Sequence, residues 1–157
     1  MRMNKKYCVF IFFVTFLFPK TIPAQAYWHY QQGEEYFYGQ NGKQQSYEKA
    51  LFLYRKAAEK GSPDAECRIS ICYQYGYGVD QSDREAFIWA KKAAKHGNAQ
   101  AQNAVGVFYY LGTGCMQNYR KGIKWLTRSA NRGYAEAIHN LQEMGGYPKI
   151  TYRFPDE

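Results

Sequence analysis

Cys67 and Cys72 carry the tightest chemical constraint in this sequence. They stand five residues apart in one predicted helix, which sets their α-carbons roughly 8 Å apart and turns them away from each other, beyond disulfide reach without unwinding. Any bridge in the folded part of the chain must therefore use Cys115, and the alternatives are a bridge from Cys72 to Cys115 or three buried thiols. The histidines, His29, His96 and His139, could serve as metal ligands or acid–base groups. None lies three or four residues from a second ligand-type residue in a metal-binding spacing, so no metal site is expected, and His96 beside Gly97 reads as a basic residue near a helix C-terminus. Glu34 and Glu35 are adjacent carboxylates in a charge-mixed segment, which reads as a solvated face rather than a general acid and base. No Gly-x-Ser-x-Gly elbow, phosphate-binding loop or His-Glu-x-x-His occurs. Neither catalytic residues nor a cofactor are expected.

These residues belong to a chain of 157 with 46% hydrophobic content, enough for one folded domain. Its first 26 residues read differently. A basic start (Arg2, Lys5, Lys6), an apolar run from Cys8 to Phe18 and a small-residue end at Ala24-Gln25-Ala26 have the pattern of a cleaved secretory leader. The apolar run would span only about 17 Å as a helix, against a hydrocarbon core of roughly 30 Å, and Pro19 and Pro23 stand where a spanning helix would continue. No Cys follows Ala26, so a lipid anchor there has no support. Removal of this segment takes four basic residues and no acid from a formal charge of +8. The remaining Lys and Arg alternate with acids, as in Glu48-Lys49 and Asp83-Arg84-Glu85, without the basic stripe that nucleic acid would require. The protein is thus expected to be periplasmic or secreted, with no nucleic-acid partner and no membrane span after cleavage. Three cysteines then remain, an odd number for an exported chain.

What positions these groups is a period of 36 residues. Gly61, Gly97 and Gly133 follow it, as do Ala65, Ala101 and Ala137, Ala58, Ala94 and Ala130, and the triplet Leu53, Trp89 and Trp125. Ungapped alignment of Ala65–Gln100 with Ala101–Glu136 gives 10 identities in 36 positions, where unrelated segments would give roughly two or three. Ala65, Ile69, Cys72, Tyr73 and Gly76 share one helical face, forming a first helix, A, that Gly76-Tyr77-Gly78 breaks. Val79 can then enter the groove beside the turn. The second helix, B, starts near Ser82 or Asp83, carries Ala86, Trp89, Ala90, Ala93 and Ala94 inward, and ends at Gly97. Small alanines let helices approach closely, and Trp89 is expected to fill the space and stack toward the next repeat.

The boundaries that follow are a leader 1–26, repeats of about 28–64, 65–100 and 101–136, a partial fourth unit 137–144 that caps the stack, and a tail 145–157. In the first repeat Gly33, Tyr36 and Gly39 align only if its loop is one residue longer. The fold class expected is all-α, an α/α superhelical solenoid of helix hairpins. Cys72 lies nearer the loop end of helix A than Cys67, and the loop holding Cys115 lies at the corresponding end of the next repeat.

The spacing Gly-x-x-Tyr-x-x-Gly-x-Gly, read here as Gly106-Val107-Phe108-Tyr109-Tyr110-Leu111-Gly112-Thr113-Gly114, together with Trp89 to Ala101, resembles the Sel-1-like repeat, a relative of the tetratricopeptide repeat. Tetratricopeptide units usually run about 34 residues and lack the Gly-x-Gly loop. The resemblance covers roughly Trp28 to Met144. It implies an adaptor or recognition module of a kind often exported in bacteria. Five positions depart from the pattern: Cys115 stands for Val, Met116 and Asn118 alter the polar loop, Ser70 replaces a Gly, and Gly122 replaces a helix-B Ala. A branch of the family carries paired cysteines in every repeat and includes β-lactam-binding or -hydrolysing members. Ala58, Ala94 and Ala130 occupy the place of one partner of each such pair here.

In such superhelices the A helices line the concave side. Arg68, Ile71, Gln74 and Tyr75 of the second repeat, with Asn103, Val107, Tyr110 and Leu111 of the third, therefore form the expected partner-binding surface, mixed aromatic and polar as peptide recognition requires. Ile71 and Val107 could instead only pack neighbouring A helices together. The functional expectation is an exported module that binds a protein or peptide through this face. The alternative is a hydrolase of cell-wall or β-lactam-like substrates.

Overall fold

A computed structural model describes residues 23–144. Among them lie seven helices and no strand: α1 (Ala24–Tyr38), α2 (Tyr47–Glu59), α3 (Pro63–Tyr75), α4 (Asp83–Lys95), α5 (Ala99–Leu111), α6 (Tyr119–Ala130) and α7 (Ala135–Glu143). The main helix contacts run between sequence neighbours, α1 with α2 through to α6 with α7, the arrangement of a stack in which each hairpin buries its face on the next. Most of the expected leader (residues 1–22) and the tail lie outside the described residues. The last residues of that leader do not: Ala24-Gln25-Ala26 form the first turn of α1, and Ala26 is fully buried.

Local chemistry sets the helix ends. Ser46, Ser82 and Asn118 cap the B helices α2, α4 and α6, each side chain accepting the backbone N–H three residues on, and Ser62 and Asn98 do the same for α3 and α5. Gly39, Gly76 and Gly112 end the A helices in the left-handed conformation, returning an N–H to the carbonyl of Glu35, Cys72 and Phe108. Each A–B loop is closed the same way, by Ser46 N–H to Tyr36 O, Ser82 N–H to Tyr73 O and Asn118 N–H to Tyr109 O.

The second glycine of each Gly-x-Gly has a further role. A Cβ on Gly78 would lie 2.5 Å from the Tyr47 carbonyl carbon, and one on Gly114 would lie 2.1 Å from Asp83 O. The A–B loop of one repeat thus rests directly on the first turn of the preceding B helix, backbone against backbone, and only glycine leaves room.

The two departures inside the helices also have a packing account. Gly106 on α5 and Gly122 on α6 face each other, so that a Cβ on Gly122 would stand 2.8 Å from Gly106 O. One repeat earlier Ser70 and Ala86 hold the same crossing, with the Ser70 hydroxyl donating to Ala86 O at 2.8 Å. Where the hydroxyl is lost, the helices close further.

The core divides into three clusters, one per hairpin junction. Phe37, Tyr54, Ile69 and Cys72 belong to the first, Cys67, Ala90, Val105 and Phe108 to the second, and Leu126, Ala137 and Leu141 to the third. Trp89 corrects one expectation. It packs against the first cluster, built from α1, α2 and α3, and not against the second, which the next repeat shares, while Trp125 packs likewise against the second. The two indoles are equivalent, each half-buried under a cation from the following turn, Lys92 at 4.9 Å and Arg128 at 5.0 Å.

Candidate functional site

Helices α3 and α5 diverge enough to leave a groove of about 310 Å³. Ile71, Gln74 and Tyr75 line its α3 side, Asn103 and Val107 its α5 side, and Glu136 at the start of α7 closes one end. Five of the eight residues assigned to the expected binding surface are therefore brought together. Ile71 and Val107 are half-buried and give the groove an apolar floor, while Tyr75 stands 60% exposed at the rim. Asn103 is held by Asn140, whose side-chain amide donates to Asn103 Oδ1 at 2.9 Å. That bond orients Asn103 and leaves its own amide N–H groups free of that contact.

The other three residues are placed elsewhere. Arg68 is drawn back into the first hairpin, where Nη2 meets Glu34 Oε2 at 2.6 Å and the guanidinium lies 5.9 Å from the Phe37 and Tyr38 rings. Burial opposes its charge, but Glu34 and the Tyr30 hydroxyl outweigh that and hold the guanidinium above its ordinary pKa. Tyr110 packs edge-on to Tyr119 at 5.1 Å, and Leu111 is 61% exposed at the end of α5. Neither lines the groove.

Of the two alternatives for the cysteines, a Cys72–Cys115 bridge or three thiols, the structure has the thiols: all three described cysteines are free, Cys67 and Cys72 buried and Cys115 partly so. Cys72 faces the first core cluster, while Cys115 packs against the second with Sγ 3.5 Å from Phe108 O. Cys115 fills the place that Val79 fills one repeat earlier, against the preceding hairpin's core, so its role there is that of a small apolar side chain. Burial pushes the Cys67 and Cys72 thiols up to about 12, so both are neutral at pH 7 and lack the thiolate a nucleophile requires.

Two carboxylates escaped the sequence reading. Glu34 is mostly buried rather than solvated, and it joins the first two repeats by accepting from both Tyr54 and Arg68. Glu66 is fully buried on α3 and is held by Lys92 of α4 at 3.1 Å and by Nδ1 of His96, the C-cap of that helix, at 2.7 Å. His96 thus serves a buried acid as well as a helix end. The available signal was spacing: Lys92 and His96 lie one turn apart at the end of α4, and Glu66 follows the period-marking Ala65 at the start of α3. No group of three or more potential metal ligands occurs among the described residues, and no described helix is long and apolar enough to cross a membrane.

Comparisons with known proteins agree with this geometry. The Sel1 repeat model matches residues 26–62, 63–98 and 99–134, and its second and third units begin at the first residues of α3 and α5. No curated protein sequence matches the chain. Among solved structures, c5321, described as a protective antigen present in uropathogenic Escherichia coli strains displaying an SLR fold, is similar at 30% identity and a TM-score of 0.72 over 76% of this chain. This chain spans only 25% of that protein. A Sel1 repeat protein from Oxalobacter formigenes is similar at 28% identity and a TM-score of 0.69, covering 75% of this chain and 88% of its own. Helicobacter pylori cysteine rich protein B shares the fold at 18% identity and a TM-score of 0.61, over 77% of this chain and 98% of its own. With three contiguous repeats matched and each repeat a helix hairpin stacked on the last, the chain belongs to the Sel1 repeat family.

Proposed function

We propose that this protein is an exported bacterial interaction module that holds a segment of another polypeptide in the groove between α3 and α5. The observation that carries this reading is the groove's composition: an apolar floor of Ile71 and Val107, an exposed aromatic rim residue in Tyr75, and amide side chains at Gln74 and Asn103. Apolar anchors with amides beside them suit a peptide, whose side chains need pockets and whose backbone needs donors and acceptors. The basic, apolar and small-residue regions of the first 26 residues support export.

The experiment is site-specific photocrosslinking in intact bacteria, with the photoreactive residue placed at Gln74 in the groove or at Phe52, exposed on α2. A discrete crosslinked partner at 74, absent at 52 and lost on Val107→Arg, is the result expected. The same product from both positions, or a product indifferent to Val107→Arg, would refute the groove. Protease accessibility of the protein in spheroplasts tests export separately, and protection from added protease would refute it.

A further inference from the structure

Three buried side-chain atoms among the described residues lack a hydrogen-bond partner, His29 Nδ1, Glu66 Oε1 and Gln102 Oε1, and of these Glu66 Oε1 has an ion-pair partner in Lys92 at 3.1 Å. All three residues lie ten positions ahead of a left-handed glycine cap, at Gly39, Gly76 and Gly112, and so occupy one register of successive A helices. In the second repeat that register carries a carboxylate, and Glu66 is in contact with Lys92 and His96. One period on, Gln102, Arg128 and Arg132 take the places of Glu66, Lys92 and His96. The acid has become neutral and both bases have become arginine.

The consequence is a pocket of about 420 Å³ lined by Gln102, Lys95, Arg128, Arg132 and Trp125, with no acidic residue in its wall. None of the three cations has an ion-pair partner among the described residues. Lys95 and Arg128 near the ends of α4 and α6 satisfy helix dipoles, but dipoles do not account for the exchange of Glu for Gln. Trp125 steadies Arg128 from beneath its guanidinium, 5.0 Å from the ring centre. Gly97 keeps space open beside Arg132, since a Cβ there would stand 3.4 Å from Nη2. Gln102 is 4% exposed, and its amide N–H is already taken by Ala94 O at 3.1 Å. Its orphaned Oε1 is the atom left to serve a ligand, and it requires a donor.

We propose that this pocket binds a carboxylate with an N–H beside it, the chemistry shared by a polypeptide C-terminus and an N-acyl amino acid. Arg128 and Arg132 take the carboxylate where Glu66 supplies one internally a repeat earlier, and Gln102 Oε1 accepts the neighbouring N–H. The site is separate from the α3–α5 groove and stands or falls without it.

The test is an NMR titration of the full chain at low ionic strength, following the Trp125 indole N–H. The probes are N-acetylalanine, its C-terminal amide, acetate, and a short acetylated peptide with a free C-terminus. Saturable shifts with N-acetylalanine, at least tenfold weaker with the amide and with acetate, are expected. Arg132→Gln should weaken binding at least tenfold. Gln102→Glu, which restores the internal carboxylate, should abolish binding while the melting temperature rises. A tenfold advantage of the peptide would assign the site to polypeptide C-termini, and equal binding would assign it to N-acyl amino acids. Equal binding of the amide would overturn the carboxylate, equal binding of acetate would overturn the role of Gln102, and binding that survives Gln102→Glu in a folded protein would overturn the site.

Discussion

Substituting alanine at Gly76 and at Gly78 separates two costs that the Gly-x-Gly loop combines. Both residues are left-handed, with φ of 73° and 69°. An L-residue there costs roughly 1–2 kcal/mol, offset in part by the lower chain entropy of unfolded alanine, about 0.4–1 kcal/mol. At Gly76 nothing further opposes the change, since the nearest atom to the new Cβ is Val79 O at 3.5 Å. Gly76→Ala should therefore cost about 1 kcal/mol. At Gly78 the Cβ meets the Tyr47 carbonyl carbon at 2.5 Å, Glu48 N at 2.6 Å and Tyr47 O at 2.7 Å. Carbon contacts settle near 3.5–4.0 Å, so the loop must retreat by about 1 Å from the first turn of α2. Both sides are backbone and neither yields by a rotamer change. Overpacking of this kind costs about 1–3 kcal/mol, and the rigid partners place it at the upper end, giving about 4 kcal/mol for Gly78→Ala. For a domain of this size that is a fall in Tm of roughly 15 °C, against about 4 °C at Gly76. Urea and thermal unfolding followed by far-UV circular dichroism would measure both. Gly114→Ala, with Asp83 O at 2.1 Å, repeats the test one unit later. Losses at 76 and 78 equal to within about 0.5 kcal/mol would refute a loop-on-helix contact as the reason for the second glycine.

Three further outcomes follow. Gly122→Ala should destabilise by about 1–2 kcal/mol by urea unfolding even though alanine is the better helix former, because its Cβ would stand 2.8 Å from Gly106 O. In a double-mutant cycle of Arg68→Met and Glu34→Gln, each single change should cost about 2 kcal/mol, with a coupling above about 1 kcal/mol from the mostly buried pair. Alkylation of the native protein at pH 8, read by intact mass, should modify Cys115 first and reach Cys67 and Cys72 only on unfolding. Since burial holds those two thiols near 12 in the folded state, their contribution to stability is complete below about pH 8.5 and declines as pH rises from there toward the folded values, because the unfolded chain ionises first.

Much of the scaffold was legible because a repeat writes its constraints several times. Ser82 as a cap, Gly76 as a stop, and Ala65 with Ile69 as an inward stripe are each a local consequence of side-chain type, and each recurs at 36 residues. The surface was legible in part for the same reason: helical periodicity placed Ile71, Gln74, Tyr75, Asn103 and Val107 off the core stripe, and the groove gathers them. Arg68 shares that face by spacing but not by position, since Glu34, 34 residues away, draws it out of the groove.

By itself, then, the sequence determined the inward stripes of α3 and α4, the glycine stops of α3 and α5, and the start of α4 at Ser82, since those depend on interactions within about four residues along the chain. The tertiary structure alone decided how the hairpins face each other: that Trp89 packs on the first core cluster and not the second, that Glu34 and Glu66 are buried with cationic partners, that Cys72 and Cys115 serve different cores, and that Gln102 Oε1 lacks a partner beside two arginines. The stagger between hairpins is set by the close approach of Gly78 and Gly114 to the helices before them, and a contact between backbones leaves in the sequence only the absence of a side chain.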